Sequence, residues 1–379
     1  MRRKPPHLTE IGRPPVGMGT PVNPDVTRAS TLLFDRAEDL YRTDVRGYGR
    51  HGSDVHDALS EAIGAIEGGE HVSLAPSGLS ACTLAIMTFA KAGGHVLVTD
   101  SVYGPVRHFC KTTLPRFGVE VEFYDPRIGA GIEALLRDDT CLVWLESPGS
   151  LSFEVQDIPA IVKAAGAIPT AIDNTWSAGL TLRPLSLGVT ASVQAATKYY
   201  SGHSDVLMGA VICREDSAGR RVAATRKSLG LATSPDDAYL VLRGLRTLLP
   251  RFEQAEASAQ AIAEAVSDHP KVAQLLHPAH STHPDHALWK SQFSGGGCLF
   301  AFTLADATED DAVRFVNALE RFGIGFSYGG YESLAIHCGP QLRRDHPTAL
   351  DGPLVRLACG IEPTEGLVSD VLQALDAIR

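Results

Sequence analysis

The sequence predicts an α/β chain: a large domain around a mostly parallel sheet, followed by a smaller C-terminal α/β domain. Three observations carry this. From about Asp54, short apolar runs alternate with amphipathic helical stretches, as expected for parallel strands buried on both faces by crossover helices. Near residue 245 the alternation gives way to a long helical stretch and then to sparser strands. At 379 residues the chain is also long enough for two sizeable cores. The division read from these changes is an irregular arm over 1–48, a large domain over 49–244 and a small domain over 245–379.

The arm is rich in Pro and Gly, with few places to pack a core. Its start, residues 1–6, is basic with no apolar stretch behind it, and reads as a solvated arm, not a secretory signal. Residues 54–67 form an amphipathic helix closed by Gly68-Gly69. A second helix is expected over 80–90, and buried strands over 95–99, 119–124, 141–145, 168–172, 192–196 and 206–213. The helical stretch 234–266 is expected to break at Pro250. Beyond it come strands at 299–303 and 354–359 and helices at 309–322 and 363–378.

A 44% hydrophobic and 21% charged composition is that of an ordinary globular chain. The formal charge of −10 argues against nucleic acid as a partner, since phosphate binding needs a basic face. No apolar stretch has the length of a membrane span. The seven cysteines show no C-x-x-C spacing, and Cys82, Cys141, Cys213, Cys298 and Cys359, in apolar or small-residue runs, read as buried free thiols, which places the chain in a reducing cytoplasm. His277, His280, His283 and His286 recur every three residues, but Pro278 and Pro284 break any helix that would align them. A surface loop without metal is expected there.

The chemistry is concentrated in two phrases. Lys198 lies in Ala195-Ala196-Thr197-Lys198-Tyr199-Tyr200, behind small residues that leave its amine partly desolvated and able to form a Schiff base. Asp173 ends the apolar run 168–172, where an acid can hold a pyridinium nitrogen protonated. Both fall just past strand ends, where ligands of such sheets bind. Pyridoxal 5'-phosphate needs that pair. Pro76-Ser77-Gly78-Leu79-Ser80, between a strand and a helix, is either a plain turn with a cap or a phosphate cradle at a helix start. Arg356 stands inside an apolar strand, so it is either salt-bridged or kept for a ligand.

These phrases resemble those of the pyridoxal-phosphate enzymes of cysteine and methionine metabolism. Similar wording recurs at Arg28-Ala29-Ser30-Thr31-Leu32-Leu33-Phe34-Asp35, Tyr48-Gly49-Arg50, Leu145-Glu146-Ser147-Pro148-Gly149-Ser150 and Gly329-Gly330-Tyr331-Glu332-Ser333-Leu334. The resemblance implies the aminotransferase-like, type I fold. It makes Lys198 the cofactor lysine, Asp173 the partner of the ring nitrogen, and Tyr103 a ring stacked on the pyridine with a share in proton transfer. Gly78 and Leu79 would give backbone donors to the phosphate, and Thr197 a hydroxyl. Ala195 stands where many relatives have a serine. Tyr48 and Arg50 would reach a neighbouring subunit's phosphate, implying a homodimer with shared sites and commonly a tetramer. Ser327, Tyr328 and Arg356 would face the substrate, with Arg356 on its carboxylate. Phe326 replaces the usual tyrosine of the β-lyase wording, and Tyr328 its usual tryptophan.

The implied reaction is β-elimination on an L-amino acid thioether. With cystathionine it would give homocysteine, pyruvate and ammonia. The alternatives are γ-elimination or γ-replacement on the same scaffold, and a cofactor-holding regulatory module.

Overall fold

The computed structural model describes residues 8–378; the basic stretch 1–6 lies outside them. Helix α1, Asp54–Glu67, ends where Gly68 adopts φ +79° and its N–H closes onto Gly64 O. A seven-stranded sheet follows, built from β1 (His71–Ala75), β2 (His95–Thr99), β3 (Glu120–Tyr124), β4 (Thr140–Glu146), β5 (Thr170–Asp173), β6 (Ala191–Gln194) and β7 (Gly209–Cys213). The order is β1-β7-β6-β5-β4-β2-β3, and only β7 runs antiparallel to its neighbours. Helices α2 (Gly78–Phe89), α3 (Gly104–Thr112), α4 (Ile158–Ala165), α5 (Asp216–Ser228), α6 (Pro235–Leu245) and α7 (Leu248–Val266) cover it and lead out of it.

Strand β4 explains the two-layered core. Leu142 and Trp144 face one apolar cluster with Leu84 and Ile86 of α2 and Val106 of α3. Val143 and Leu145 face the other, with Leu59 and Ile63 of α1 and Ile158 of α4. Successive strand residues point to opposite faces, so one apolar run supplies both cores. Each such side chain contributes about 1.5–3 kcal/mol on burial.

The C-terminal part holds a five-stranded sheet of β8 (Val272–Leu276), β9 (Leu299–Leu304), β10 (Gly323–Ile324), β11 (Leu334–His337) and β12 (Leu354–Ala358), in the order β10-β11-β12-β9-β8. Helices α8 (His286–Gln292), α9 (Glu309–Ala318) and α10 (Thr364–Ala377) complete it. Only two of these strands were expected. β8, β10 and β11 are edge or near-edge strands of two to five residues, too short to display a period of two.

Four other expectations are corrected. Helix α2 starts at Gly78, because Ser77 caps it: its Oγ accepts the Ser80 N–H at 3.1 Å while Ser80 Oγ accepts the Ser77 N–H at 2.8 Å. The helical stretch 234–266 breaks at Arg246-Thr247, and Pro250 sits in the first turn of α7, where its missing N–H costs nothing. Helix α9 stops at Ala318 because the N–H groups of Glu320 and Arg321 donate to the Asp370 carboxylate instead of to earlier carbonyls. In the histidine segment, His277 and His283 are buried, not on the surface. Consecutive turns, each closed by an N–H onto the carbonyl three residues back, set the spacing of three. Among the described residues no cluster of His, Cys, Asp or Glu is arranged to hold a metal ion.

The small sheet is clasped to the large one beside the carboxyl ends of β2 and β4. Arg344 donates to Asp100 O and Ser150 O, both at 2.5 Å, and the His346 N–H donates to Asp100 Oδ2 at 2.7 Å. Asp100 is fully buried, is paired with Arg107, and starts the turn that leads to Tyr103.

Candidate active site

At the carboxyl edge of the large sheet, parallel pairing sets Glu146 beside Asp173. One Asp173 oxygen, Oδ1, accepts the Thr175 N–H at 3.0 Å and the Thr175 hydroxyl at 2.6 Å. The other, Oδ2, has only the weakly donating Cys82 thiol at 3.7 Å. Burial pushes the Asp173 pKa up, and the Thr175 bonds oppose that rise. The carboxylate is therefore fixed on one oxygen and open on the other.

Lys198 follows β6 on a tight turn closed by its own N–H onto Ala195 O. Its Nζ donates to Ser327 Oγ at 2.8 Å and stands 5.1 Å above the centre of the Tyr328 ring. Burial, then the nearby Arg356 charge, push the amine down to about 8, with Asp173 pulling the other way. At neutral pH an appreciable fraction is thus a free base.

Ser327 comes from the small domain and has φ +124°, a region that non-glycine residues avoid unless their surroundings enforce it. Its hydroxyl meets Lys198, and its carbonyl accepts from Arg356 at 3.4 Å. Arg356 forms no ion pair among the described residues, and its buried Nε has no partner. Of the two possibilities left open for a charge in that strand, the salt bridge is absent. The turn after Tyr328 lies tightly on the lysine loop: a side-chain carbon at Gly329, φ +73°, would come within 2.9 Å of Tyr199 N.

Tyr103 caps α3, and its N–H donates to Glu146 Oε2 at 2.7 Å. Burial raises its phenol pKa, as do Asp173, Cys82 and Glu146, while Arg356 opposes them, so Tyr103 lies within range of the Asp173 and Arg356 charges that also act on Lys198. Tyr328 is raised by burial, Asp173 and Glu146, again against Arg356. Lys198, Asp173, Tyr103, Ser327, Tyr328 and Arg356 thus converge on one cleft.

Gly78 and Leu79 occupy the first two positions of α2, and their N–H groups have no partner among the described residues. A side-chain carbon at Gly78 would stand 2.5 Å from Ala195 Cβ, so α2 meets the lysine segment closely only because both positions are small. An anion-bearing group fits that helix start. One expectation turns out differently. The Thr197 hydroxyl is engaged with Met208, donating to its O at 3.1 Å and accepting its N–H at 2.9 Å, so its proton is not offered to the cleft. Phe326 is 74% exposed. Tyr48 and Arg50 form no hydrogen bond, ion pair or ring contact with the cleft; the Arg50 guanidinium lies 5.0 Å over its own Tyr48 ring.

Sequence reading missed Thr175, Cys82 and Glu146. Thr175 had a local signal, a hydroxyl two residues after an acid that ends a strand. Cys82 and Glu146 had none, since their roles come from strand and helix packing.

A mostly parallel sheet with a free helix start, a depressed lysine and an open carboxylate at its carboxyl edge suits an α/β enzyme that carries a phosphorylated aldehyde cofactor. The chain belongs to the Cys/Met metabolism PLP-dependent enzymes, whose family model matches residues 13–376. It is 40% identical to the cystathionine beta-lyase of Bordetella avium, over 97% of this chain and 96% of that one. It is 37% identical to cystathionine beta-lyase MetC of Escherichia coli K12, over 92% of each. Its fold matches the crystal structure of a cystathionine gamma synthase from Xanthomonas oryzae pv. oryzae in complex with aminoacrylate and cysteine, with a TM-score of 0.89, 29% identity, and coverage of 98% of this chain and 97% of that one. Pyridoxal phosphate is the cofactor of the family, and the donor set of the cleft fits it.

Proposed function

We propose that this enzyme is a carbon–sulfur β-lyase that cleaves L-cystathionine, or a related cysteine thioether, to a thiol, pyruvate and ammonia. The observation that carries this is Arg356, with an unpartnered buried Nε and no ion pair among the described residues, beside the Lys198–Ser327 pair: an amino-acid carboxylate can be fixed within reach of a poised base. Pyridoxal phosphate supplies an electron sink at the substrate α-carbon when bound. Gly78 and Leu79 offer their N–H groups to its phosphate. Asp173, immobilised through Thr175, would accept from the ring nitrogen and hold it protonated.

Arg356 binds the α-carboxylate with its planar fork. Tyr103 and Tyr328 wall the cleft and restrict the substrate chain. Lys198, held by Ser327 and depressed to about 8, removes the α-proton. The α-carbon electron pair then forms the Cα=Cβ bond as the Cβ–S pair leaves with sulfur, Lys198 passes its proton to that sulfur, and hydrolysis of the unsaturated remainder gives pyruvate and ammonia. Tyr48 and Arg50 are assigned to a partner subunit's phosphate within a homodimer, and a tetramer follows from the same resemblance. The near-complete exposure of Val16, Met18, Leu33 and Tyr41 on the arm supports a partner there. Seven free, buried thiols support a reducing, cytoplasmic setting.

The γ-reading draws support from the similarity to a gamma synthase. Turnover of L-cystathionine, with pyruvate and 2-oxobutyrate resolved, decides the matter. Pyruvate is expected, and 2-oxobutyrate as the main product would overturn the β-reading. Borohydride treatment of the yellow enzyme should fix the cofactor on the peptide containing Lys198; label on another lysine would sink that assignment.

A further inference from the structure

Glu67 ends α1 and is completely buried, yet no lysine, arginine or histidine pairs with it among the described residues. Four side-chain donors converge on its carboxyl group instead. Ser192 Oγ donates to Oε2 at 2.7 Å, Gln194 Nε2 to Oε1 at 2.6 Å, Asn174 Nδ2 to both oxygens at 3.2 Å, and Tyr200 OH to Oε1 at 3.4 Å. Gly179, at φ +65°, completes the enclosure, since any side chain there would collide with the carboxyl group. The place is unfavourable for an acid: it is dry, it meets the negative end of the helix dipole, and burial pushes the pKa up. A buried polar hub with every donor engaged is rigid and specifies one arrangement of what it joins.

What it joins is informative. Asn174 directly follows Asp173. Ser192 and Gln194 lie on β6, Gln194 four residues before Lys198, and Tyr200 lies two residues after it. Gln194 also donates to Asn174 O at 2.8 Å, and Ala195 N to the Thr175 hydroxyl at 2.9 Å. All four donors thus sit on the two segments that carry the ring-nitrogen acid and the cofactor lysine. One carboxyl group that touches neither Asp173 nor Lys198 bonds to both of their segments.

We propose that Glu67 is a positioning residue that fixes Asp173 and Lys198 in register with each other, and through that register keeps the cofactor ring protonated. The inference rests on the assignments of Lys198 and Asp173 above. Glu67→Met empties the hub while filling its volume. Glu67→Gln keeps the shape and most of the bonds, because the Ser192 and Tyr200 hydroxyls can reverse direction.

The test uses purified, fully loaded holoenzyme. It measures kcat for cystathionine cleavage and the pH midpoint of the bound cofactor's visible band. Glu67→Met is expected to lower kcat about tenfold or more, since small misplacements of reacting groups are costly. Its visible band should keep its protonated form to higher pH by about half a unit, as weaker ring protonation requires. Glu67→Gln should restore both to near wild type. If Glu67→Met does not fold, Gln194→Met removes one donor and should shift both readouts in the same directions by less. A merely structural role predicts a lower melting temperature with wild-type kcat and band midpoint in the loaded fraction, and that result overturns the proposal. Borohydride labelling of the wild type separates the two failures. Label away from Lys198 sinks the underlying site reading, whereas label on Lys198 with unmoved readouts sinks only the role of Glu67.

Discussion

Asp173 and Lys198 are carried by the large sheet, Ser327, Tyr328 and Arg356 by the small domain, and the two groups differ in how much of their bonding is already spent. On the large-sheet side, Asp173 is fixed through Thr175, and the neighbouring segments are tied together through Glu67 and Gln194. On the small-domain side, Arg356 keeps an unpartnered buried nitrogen and Ser327 a strained backbone. The first half has the features of a permanent socket. The second has those of a surface that completes its bonding when a substrate arrives, in line with unsatisfied or strained groups marking functional sites. Substitutions in the two halves should therefore behave differently.

The largest effect is expected from Asp173→Asn. The amide oxygen can keep both Thr175 bonds, so the protein should fold and load, but its NH2 cannot hold the ring nitrogen protonated. We expect kcat to fall by roughly three orders of magnitude, about 4 kcal/mol of barrier. Near-normal turnover would mean that another group protonates the ring.

Arg356→Leu tests the other half. Loss of a charge-assisted fork is worth about 3 kcal/mol, so kcat/KM should drop on the order of a hundredfold, chiefly through KM. Because Arg356 lacks an acid partner, its removal should leave the melting temperature unchanged or raise it. A clearly lower melting temperature would contradict the picture of unspent bonding.

Ser327→Ala is expected to cost about tenfold in kcat, the scale of one hydrogen bond to a charged group. The sign of its pH effect is fixed. Ser327 Oγ accepts from the protonated amine, so its loss lowers the Lys198 pKa further below about 8, and the rising limb of kcat should move to lower pH. A limb moving upward would show that Ser327 acts on the free base. Tyr328→Leu should have the smallest effect, about two- to fivefold in pyruvate formation from a lost ring–cation contact, with some 2-oxobutyrate appearing as the cleft widens. Unchanged product ratios and rate would reduce Tyr328 to packing.

Much of this was legible along the chain where the signal is local. The bounds of α1, the apolar runs of the large sheet other than β1, the acid ending β5 and the lysine after β6 each rest on a signal confined to a few neighbouring residues. Edge strands such as β10 and β11 left too little sequence to show a period. The end of α9 was hidden because the groups that stop it donate to Asp370, some fifty residues away.

The site divides along the same line. Sequence alone singled out the candidate residues, because a lysine behind small residues, an acid at a strand end and an arginine inside an apolar strand are unusual where they stand. Only the tertiary structure decided which of their atoms are free. Pairing of distant segments occupied the Thr197 hydroxyl with Met208, turned Phe326 outward, set Ser327 between Lys198 and Arg356, and left Arg356 without an acid. Hydrogen-bond satisfaction is a property of neighbours in space, and those neighbours come from segments far apart in the chain.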